Sequence, residues 1–405
     1  MRSQPVNFLF VHRDYPGQFG ALATRLAKST HHRVAFITSR EATSENIDVR
    51  VYRPKRSASP QTHHYLHSFE AGVLNGQAVY EVAHGLRADS FAPDVIFAHC
   101  GWGTSLYLRE AFPAARLIGY FEWYYHPHNG DADYLDSGNI TPDHACRIRT
   151  LNAPLLMQLE DVDLGLVPTA FQAQTLPQSY QHKLRILHDG VDTDYFVPDA
   201  AASRNFGSID FSDVKRLLTF ATRGMEPYRG FPHFMQAING LLRSDGDLHV
   251  AIAGEDATFY SRTLPNGDTY KAKALRELPN LDLSRVHFMG TLPRESYRRL
   301  LQISDLHIYL TVPFVPSWSL VEAMACGCHI VASDTEPVRE ILGTDICAHL
   351  TDFRDVFDLE KVMRHALASV DESRRLRGAA RNRAETAFSQ SMLLPQWEAI
   401  ATGGR

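Results

Sequence analysis

Residues 314–342 read FVPSWSLVEAMACGCHIVASDTEPVREIL, and the fold follows from them. A polar turn, Ser317–Trp318–Ser319, leads into an apolar run carrying one acid, Glu322. This pattern predicts a helix over about Ser319–Cys326, a short interior strand over His329–Ser333, and Asp334 just beyond it. Backbone N–H groups left free at the helix start carry partial positive charge and attract phosphate oxygens. Glu322, one turn in, can accept hydrogen bonds from a pair of ribose hydroxyls. Ala323, Ala325 and Gly327 let such a helix lie close to its sheet, and Gly327 suits the left-handed residue that ends it. The same residues also permit a reading without any ligand, in which Ser319 and Glu322 form an S-x-x-E capping box.

Outward from this stretch, strand-like and helix-like runs alternate along the chain. VNFLFVH (6–12), RVAFITS (33–39), DVIFAHC (94–100), RLIGYFEW (116–123) and KLRILHDG (183–190) are apolar runs, separated by segments such as QFGALATRLAKS and a long helical stretch from Tyr65 to Ala88. Alternation of this kind implies an α/β protein with parallel sheets covered by helices on both faces. The polar segment 199–215 reads as a connection, after which the alternation restarts at RLLTFATRG (216–224). The expectation is therefore two Rossmann-like doubly wound domains facing a cleft: residues 1–198, residues 199–382, and a C-terminal helix, 383–405, that returns to the first domain. The first domain would take the acceptor side of a reaction and the second the nucleotide side.

The chain has 405 residues, 44% of them hydrophobic and 21% charged, with a net charge of -5. That is a soluble globular composition, and the mild acidity argues against nucleic acid as a partner. The first apolar run, before His12, is too short for a signal-peptide core, and no later run approaches a membrane span, so a cytoplasmic location is expected. Five cysteines (100, 146, 326, 328 and 347) lack ligand-like pairing and read as reduced core thiols. GWGTSL (101–106) is a poor dinucleotide fingerprint, because Leu106 stands at the third glycine position.

SLVEAMACGCHIVASDTEPVREIL resembles the signature of retaining GT-B glycosyltransferases, in particular glycosyltransferase family 4. FATRGMEPYRGFPHFMQAI (220–238) is similar to that family's first C-domain strand with its basic pair, here Arg223 and Arg229. HVAIAGE (249–255) and RVHFMGTLPRESYRRLLQISDLHIYLT (285–311) resemble its second strand and its nucleotide-proximal strand, loop and helix, which contain Leu292. FLFVHRDYPGQFGALA (8–23) resembles its glycine turn and RILHDGVDTDYF (185–196) its interdomain crossover. The resemblance implies a metal-independent transferase without cofactor. It would move a sugar, with retention, from a UDP- or GDP-sugar to a hydroxyl on a glycan, a lipid-linked glycan or a protein, with surface polysaccharide assembly favoured.

The resemblance implies roles for particular residues. Glu322 would hold the ribose, and Arg223 and Arg229 the departing diphosphate, since arginine forks match phosphate oxygens. Gly17 and Gly20 would let backbone approach the donor, although a tight turn alone also explains them. The family places a carboxylate for the donor sugar eight residues before Glu322, and here that position is Phe314. Ser317 or Ser319 would take over, with Trp318 walling the sugar; a non-catalytic nucleotide-sugar sensor or scaffold is the alternative. Where the family often has a histidine after its fifth strand, this chain has Glu122, suited to orient or deprotonate the acceptor, or else a buried acid held by Arg147 or Arg149. His99, Tyr120, Trp123, Tyr124 and His126 would line the acceptor side. His126, His128, Asp131 and Asp133 lack regular ligand spacing and are not read as a metal site. Arg294, Arg298, Arg299 and the arginine-rich tail would either dock peripherally on an anionic membrane at its inner face or form solvated helix faces.

Overall fold

The computed structural model describes residues 6–29, 31–135 and 140–403. The chain forms two compact units, one of Met1–Asp133, Gly138–Gly190 and Gln390–Arg405, the other of Tyr134–Ser137 and Val191–Ser389. Each unit is built on a parallel sheet with helices, the α/β doubly wound architecture that the strand and helix alternation predicts.

The first unit has strands β1 (Asn7–Val11), β2 (Arg33–Thr38), β3 (Asp48–Val51), β4 (Val95–His99), β5 (Arg116–Tyr120), β6 (Leu164–Val167) and β7 (Leu184–Ile186), ordered β3-β2-β1-β4-β5-β6-β7. Its helices are α1 (Gly20–Ala27), α2 (His67–Ala88), α3 (Leu108–Ala111), α4 (Pro142–Leu151), α5 (Ala153–Asp161) and α6 (Ala170–Thr175). Side chains alternate across a strand, and here the alternation sorts one sheet into two cores. Phe8, Phe10, Phe36 and Phe97 face α1, whereas Leu9, Val11, Ala35, Ile37, Ile96 and Ala98 face α2 and α5. Phe10 stacks on Phe97 with ring centroids 5.4 Å apart.

The second unit has strands β8 (Arg216–Gly224), β9 (Leu248–Glu255), β10 (Val286–Gly290), β11 (Leu306–Tyr309), β12 (Ile330–Ser333) and β13 (His349–Thr351), ordered β10-β9-β8-β11-β12-β13. Its helices are α7 (Phe231–Ser244), α8 (Tyr270–Glu277), α9 (Arg294–Gln302), α10 (Trp318–Ala325), α11 (Glu336–Leu342), α12 (Val356–Ala368) and α13 (Val370–Arg383). The last helix, α14 (Gln390–Ala401), belongs to the first unit, where Trp397 packs against Phe97 and Tyr120 and Arg25 pairs with Glu398.

The chain passes from the first unit to the second at Gly190, eight residues before the sequence boundary at 198, because Val191 and Phe196 are buried in the core around α10. The return falls at Gln390 rather than 383, because Ala384 and Phe388 join that same core. Cys100, Cys326, Cys328 and Cys347 are buried free thiols, but Cys146 is exposed on α4, so the core reading fails for that one residue. Among the described residues no helix is long and apolar enough to cross a membrane.

Candidate functional site

Strands of both sheets deliver functional side chains at their C-terminal ends, where parallel sheets bind ligands. In the second unit the chain leaves β8, makes a short 3-10 turn (Pro227–Arg229) and enters α7 through Gly230, whose φ is +65°. This turn buries Arg229, which is only 8% exposed. Its Nη1 donates to Thr311 Oγ1 at 2.8 Å, and its guanidinium lies over the Tyr260 ring. Arg229 also reaches the Tyr309 hydroxyl, which accepts from the backbone N–H of Ser317 at 2.8 Å. The guanidinium is thereby tied to the start of α10. Among the described residues no carboxylate stands within ion-pair distance of it. A buried arginine is ordinarily paired with an acid, whereas the partners of Arg229 among the described residues are neutral: Thr311, Tyr309 and the Tyr260 ring. Arg223, at the end of β8, is exposed and stacks on Phe259.

Helix α10 begins one residue earlier than the sequence suggests. Ser317 is its N-cap, and its Oγ accepts from Ser319 N–H. The Ser319–Glu322 capping box is therefore not formed, and the Glu322 carboxylate is not consumed in closing its own helix. Burial raises its pKa to about 7, against the opposing pull of Tyr297 and Arg294. Trp318 is 41% exposed beside it. Phe314 packs edge-on to Tyr228 and tilted against Tyr260, so an aromatic wall occupies the place of the family's carboxylate. Leu292 follows β10 and rests on the small apolar cluster around Phe211.

One residue went unnoticed in the sequence. Glu226, 0% exposed, lies between the two arginines but pairs with neither. Its Oε2 accepts from the backbone N–H groups of Phe259, Tyr260 and Ser261 at 3.2, 2.9 and 2.7 Å. It holds the loop whose aromatic rings carry Arg223 and Arg229.

In the first unit, β1 ends at Val11, and the chain passes His12 and turns through Gly17, whose φ is +50° and whose added Cβ would meet His12 Nδ1 at 2.6 Å. Gly20 starts α1 against Pro16. Both glycines are thus required by the turn itself. His99 ends β4, Glu122 follows β5, and the two meet with Nε2 to Oε2 at 3.2 Å, while Gln18 donates to the other oxygen of Glu122 at 2.5 Å. His99 Nδ1 accepts from Gly101 N–H and His12 Nδ1 from Asp14 N–H, which leaves the protons on Nε2. Burial opposes the charge of Glu122, but His99 and Gln18 outweigh it and bring the carboxyl below its ordinary pKa. His12 is driven down to about 3 by burial and by His99, so it is neutral. Glu122, still 28% exposed, is an ionised acceptor in a histidine frame, not an acid held by Arg147 or Arg149.

Other expected residues lie elsewhere. Tyr120 is buried, packs on Phe19 and Trp397 and bonds Asp189, so it is core rather than an acceptor platform. Trp123 is also buried, against Phe171. Tyr124 is half-buried beside His126, whose Nε2 meets the Thr175 carbonyl at 2.8 Å. Asp133 accepts from the N–H groups of Asn129 and Gly130 and shapes that loop. Gly103 approaches Gly72 of α2 so closely that a Cβ would lie 2.3 Å from backbone, which explains the second glycine of GWGTSL by packing. Arg294 and Arg298 stack on Tyr195 and Arg299 on Phe206, while Arg377 and Arg381 donate to backbone carbonyls. These arginines take part in the unit's own packing, while Arg374 and Arg375 of the tail stay exposed.

Two doubly wound parallel units, one after the other in the chain, are the architecture of the GT-B fold. Residues 30–196 match the glycosyl transferase family 4 group and residues 205–383 the glycosyl transferases group 1. The chain belongs to this family 4 type of group 1 glycosyltransferases. Over 219 residues it is 30% identical to the MMP alpha-(1->4)-mannosyltransferase of Mycolicibacterium hassiacum, a match spanning 54% of this chain and 48% of that protein. The sucrose-phosphate synthase of Thermosynechococcus elongatus has a similar fold, with a TM-score of 0.73 at 16% identity over 98% of both chains. So does Anabaena HepE in complex with UDP-glucose, at 0.69 and 15% over 98% of this chain and 100% of that one.

Proposed function

We propose that the protein is a retaining, metal-independent glycosyltransferase that takes a sugar from a UDP- or GDP-sugar and places it on a hydroxyl acceptor, in surface polysaccharide or other glycan assembly. The observation that carries this reading is Arg229: a buried guanidinium with no carboxylate partner among the described residues, fixed through Tyr309 to the start of α10. A diphosphate supplies the anion that this cation lacks, and the partial positive charge of the helix start favours it there. The UDP-glucose held by HepE and the mannosyl transfer of the Mycolicibacterium relative support this donor class.

Glu322 holds the ribose, Arg223 joins Arg229 on the diphosphate, and the leaving diphosphate takes part in removing the acceptor proton on the same face as departure. Glu122 orients the acceptor hydroxyl. Phe314 favours a second reading, a sensor that binds nucleotide sugar without turnover, because it stands at the sequence position of the family's sugar-binding carboxylate.

Thermal melting with UDP, GDP, ADP, CMP and NAD at matched concentrations tests the site. A rise with UDP or GDP that disappears in Glu322→Ala is expected. Stabilisation by NAD alone, or by none of the five, overturns the donor site. Donor hydrolysis and transfer to a glycan panel then separate enzyme from sensor.

A further inference from the structure

The second unit carries a cluster that the transferase reading does not use. His349 opens β13, His365 stands in the last turn of α12 and Glu372 in the first turn of α13. One ligand atom from each lies within 4.8 Å of the others. His365 Nε2 faces Glu372 Oε2 at 3.2 Å, and the rings of His349 and His365 are perpendicular with centroids 5.5 Å apart. The other carboxylate oxygen of Glu372 points to Arg375 at 3.6 Å. Behind His349 the buried His329 approaches Nε2 to Nε2 at 3.0 Å and fixes the ring, as partners behind metal-binding histidines do.

We propose that His349, His365 and Glu372 form a site for a divalent transition-metal cation of the zinc class. Two imidazoles and one carboxylate suit zinc, whereas calcium and magnesium prefer all-oxygen sets. The three donors come from a strand and two helices, so a bound ion pins α12 and α13 to the edge of the sheet, and solvent completes its coordination at this half-exposed position. The cluster lies at the strand starts, the end of the sheet opposite to Arg229 and the start of α10. Its role is structural and independent of nucleotide binding.

Isothermal titration of the tag-free full-length chain with Zn2+, after EDTA treatment and desalting, tests this. One equivalent is expected to bind and to raise the melting temperature, and Mg2+ at the same concentration is not. His365→Ala and Glu372→Gln, both at solvent-accessible positions, should each weaken Zn2+ binding roughly tenfold or more, while any shift produced by UDP or GDP stays unchanged. Uptake without defined stoichiometry, equal stabilisation by Mg2+, or undiminished affinity in His365→Ala overturns the site.

Discussion

At the scale of single residues, the second unit depends on Glu226 for the placement of its arginines. A carboxyl oxygen that takes three backbone N–H bonds in a fully buried position is a strong local constraint, and each such bond contributes ~1 kcal/mol. Glu226→Ala leaves the amides of Phe259, Tyr260 and Ser261 without their acceptor and frees the rings that carry Arg223 and Arg229. Hydrogen exchange should then show those three amides losing protection, with β9 unchanged and nucleotide affinity reduced. Unaltered protection at Phe259–Ser261 would show that the loop is held by other contacts. The sequence concealed this residue, because an acid between two arginines reads as an ion-pair partner. Tyr120 was misread for a related reason: a tyrosine at the end of an apolar strand suits both a sugar platform and a core with a buried hydroxyl partner, and Asp189, far along the chain, decides between them.

At the scale of elements, the passage from β8 to α7 positions Arg229 through backbone geometry. Gly230 has φ +65°, and a Cβ there would stand 2.7 Å from Leu310 Cβ and 3.2 Å from Phe353, both buried. Gly230→Ala removes no charge and no hydrogen bond, yet it should shift the turn and lower nucleotide affinity roughly tenfold, by analogy with misplacement of a positioning group. Titration of the variant with UDP and GDP checks this, and wild-type affinity would show that the turn absorbs the methyl group. Elements of this kind were readable because parallel strands buried on both faces are continuous apolar runs, as in NFLFV of β1. Strand β3 was not, since Asp48 and Arg50 make it a short charged edge. The start of α10 was misplaced because Ser317 and Ser319 are both good caps, and the choice rests on Tyr309 reaching Ser317 from β11. His329, His349, His365 and Glu372 showed no spacing pattern, since packing alone gathers them.

At the scale of the whole molecule, two doubly wound units repeat one architecture and set the charge of Glu122 in one and Glu322 in the other against burial. For Glu322 the two are opposed, and the opposition predicts a measurable pH dependence. The unfolded carboxyl titrates near 4.5, and burial in the folded unit raises it to about 7. Between these values the folded state binds the extra proton, so this contribution to stability is fully present below 4.5 and is lost as pH rises through 7. The displacement corresponds to ~3 kcal/mol at alkaline pH. Glu322→Gln, which never ionises, should therefore melt higher than wild type at about pH 8, and the gain should close as the pH approaches 4.5. Nucleotide binding should move the opposite way. Wild-type affinity should grow from about pH 6 to about pH 8 as the carboxylate that accepts the ribose hydroxyls forms, whereas the variant should bind weakly with a flat profile. Melting curves and nucleotide titrations at these pH values decide the matter. If the variant melts no higher than wild type at about pH 8, burial does not hold the proton on Glu322, and the ribose contact would be set by geometry alone.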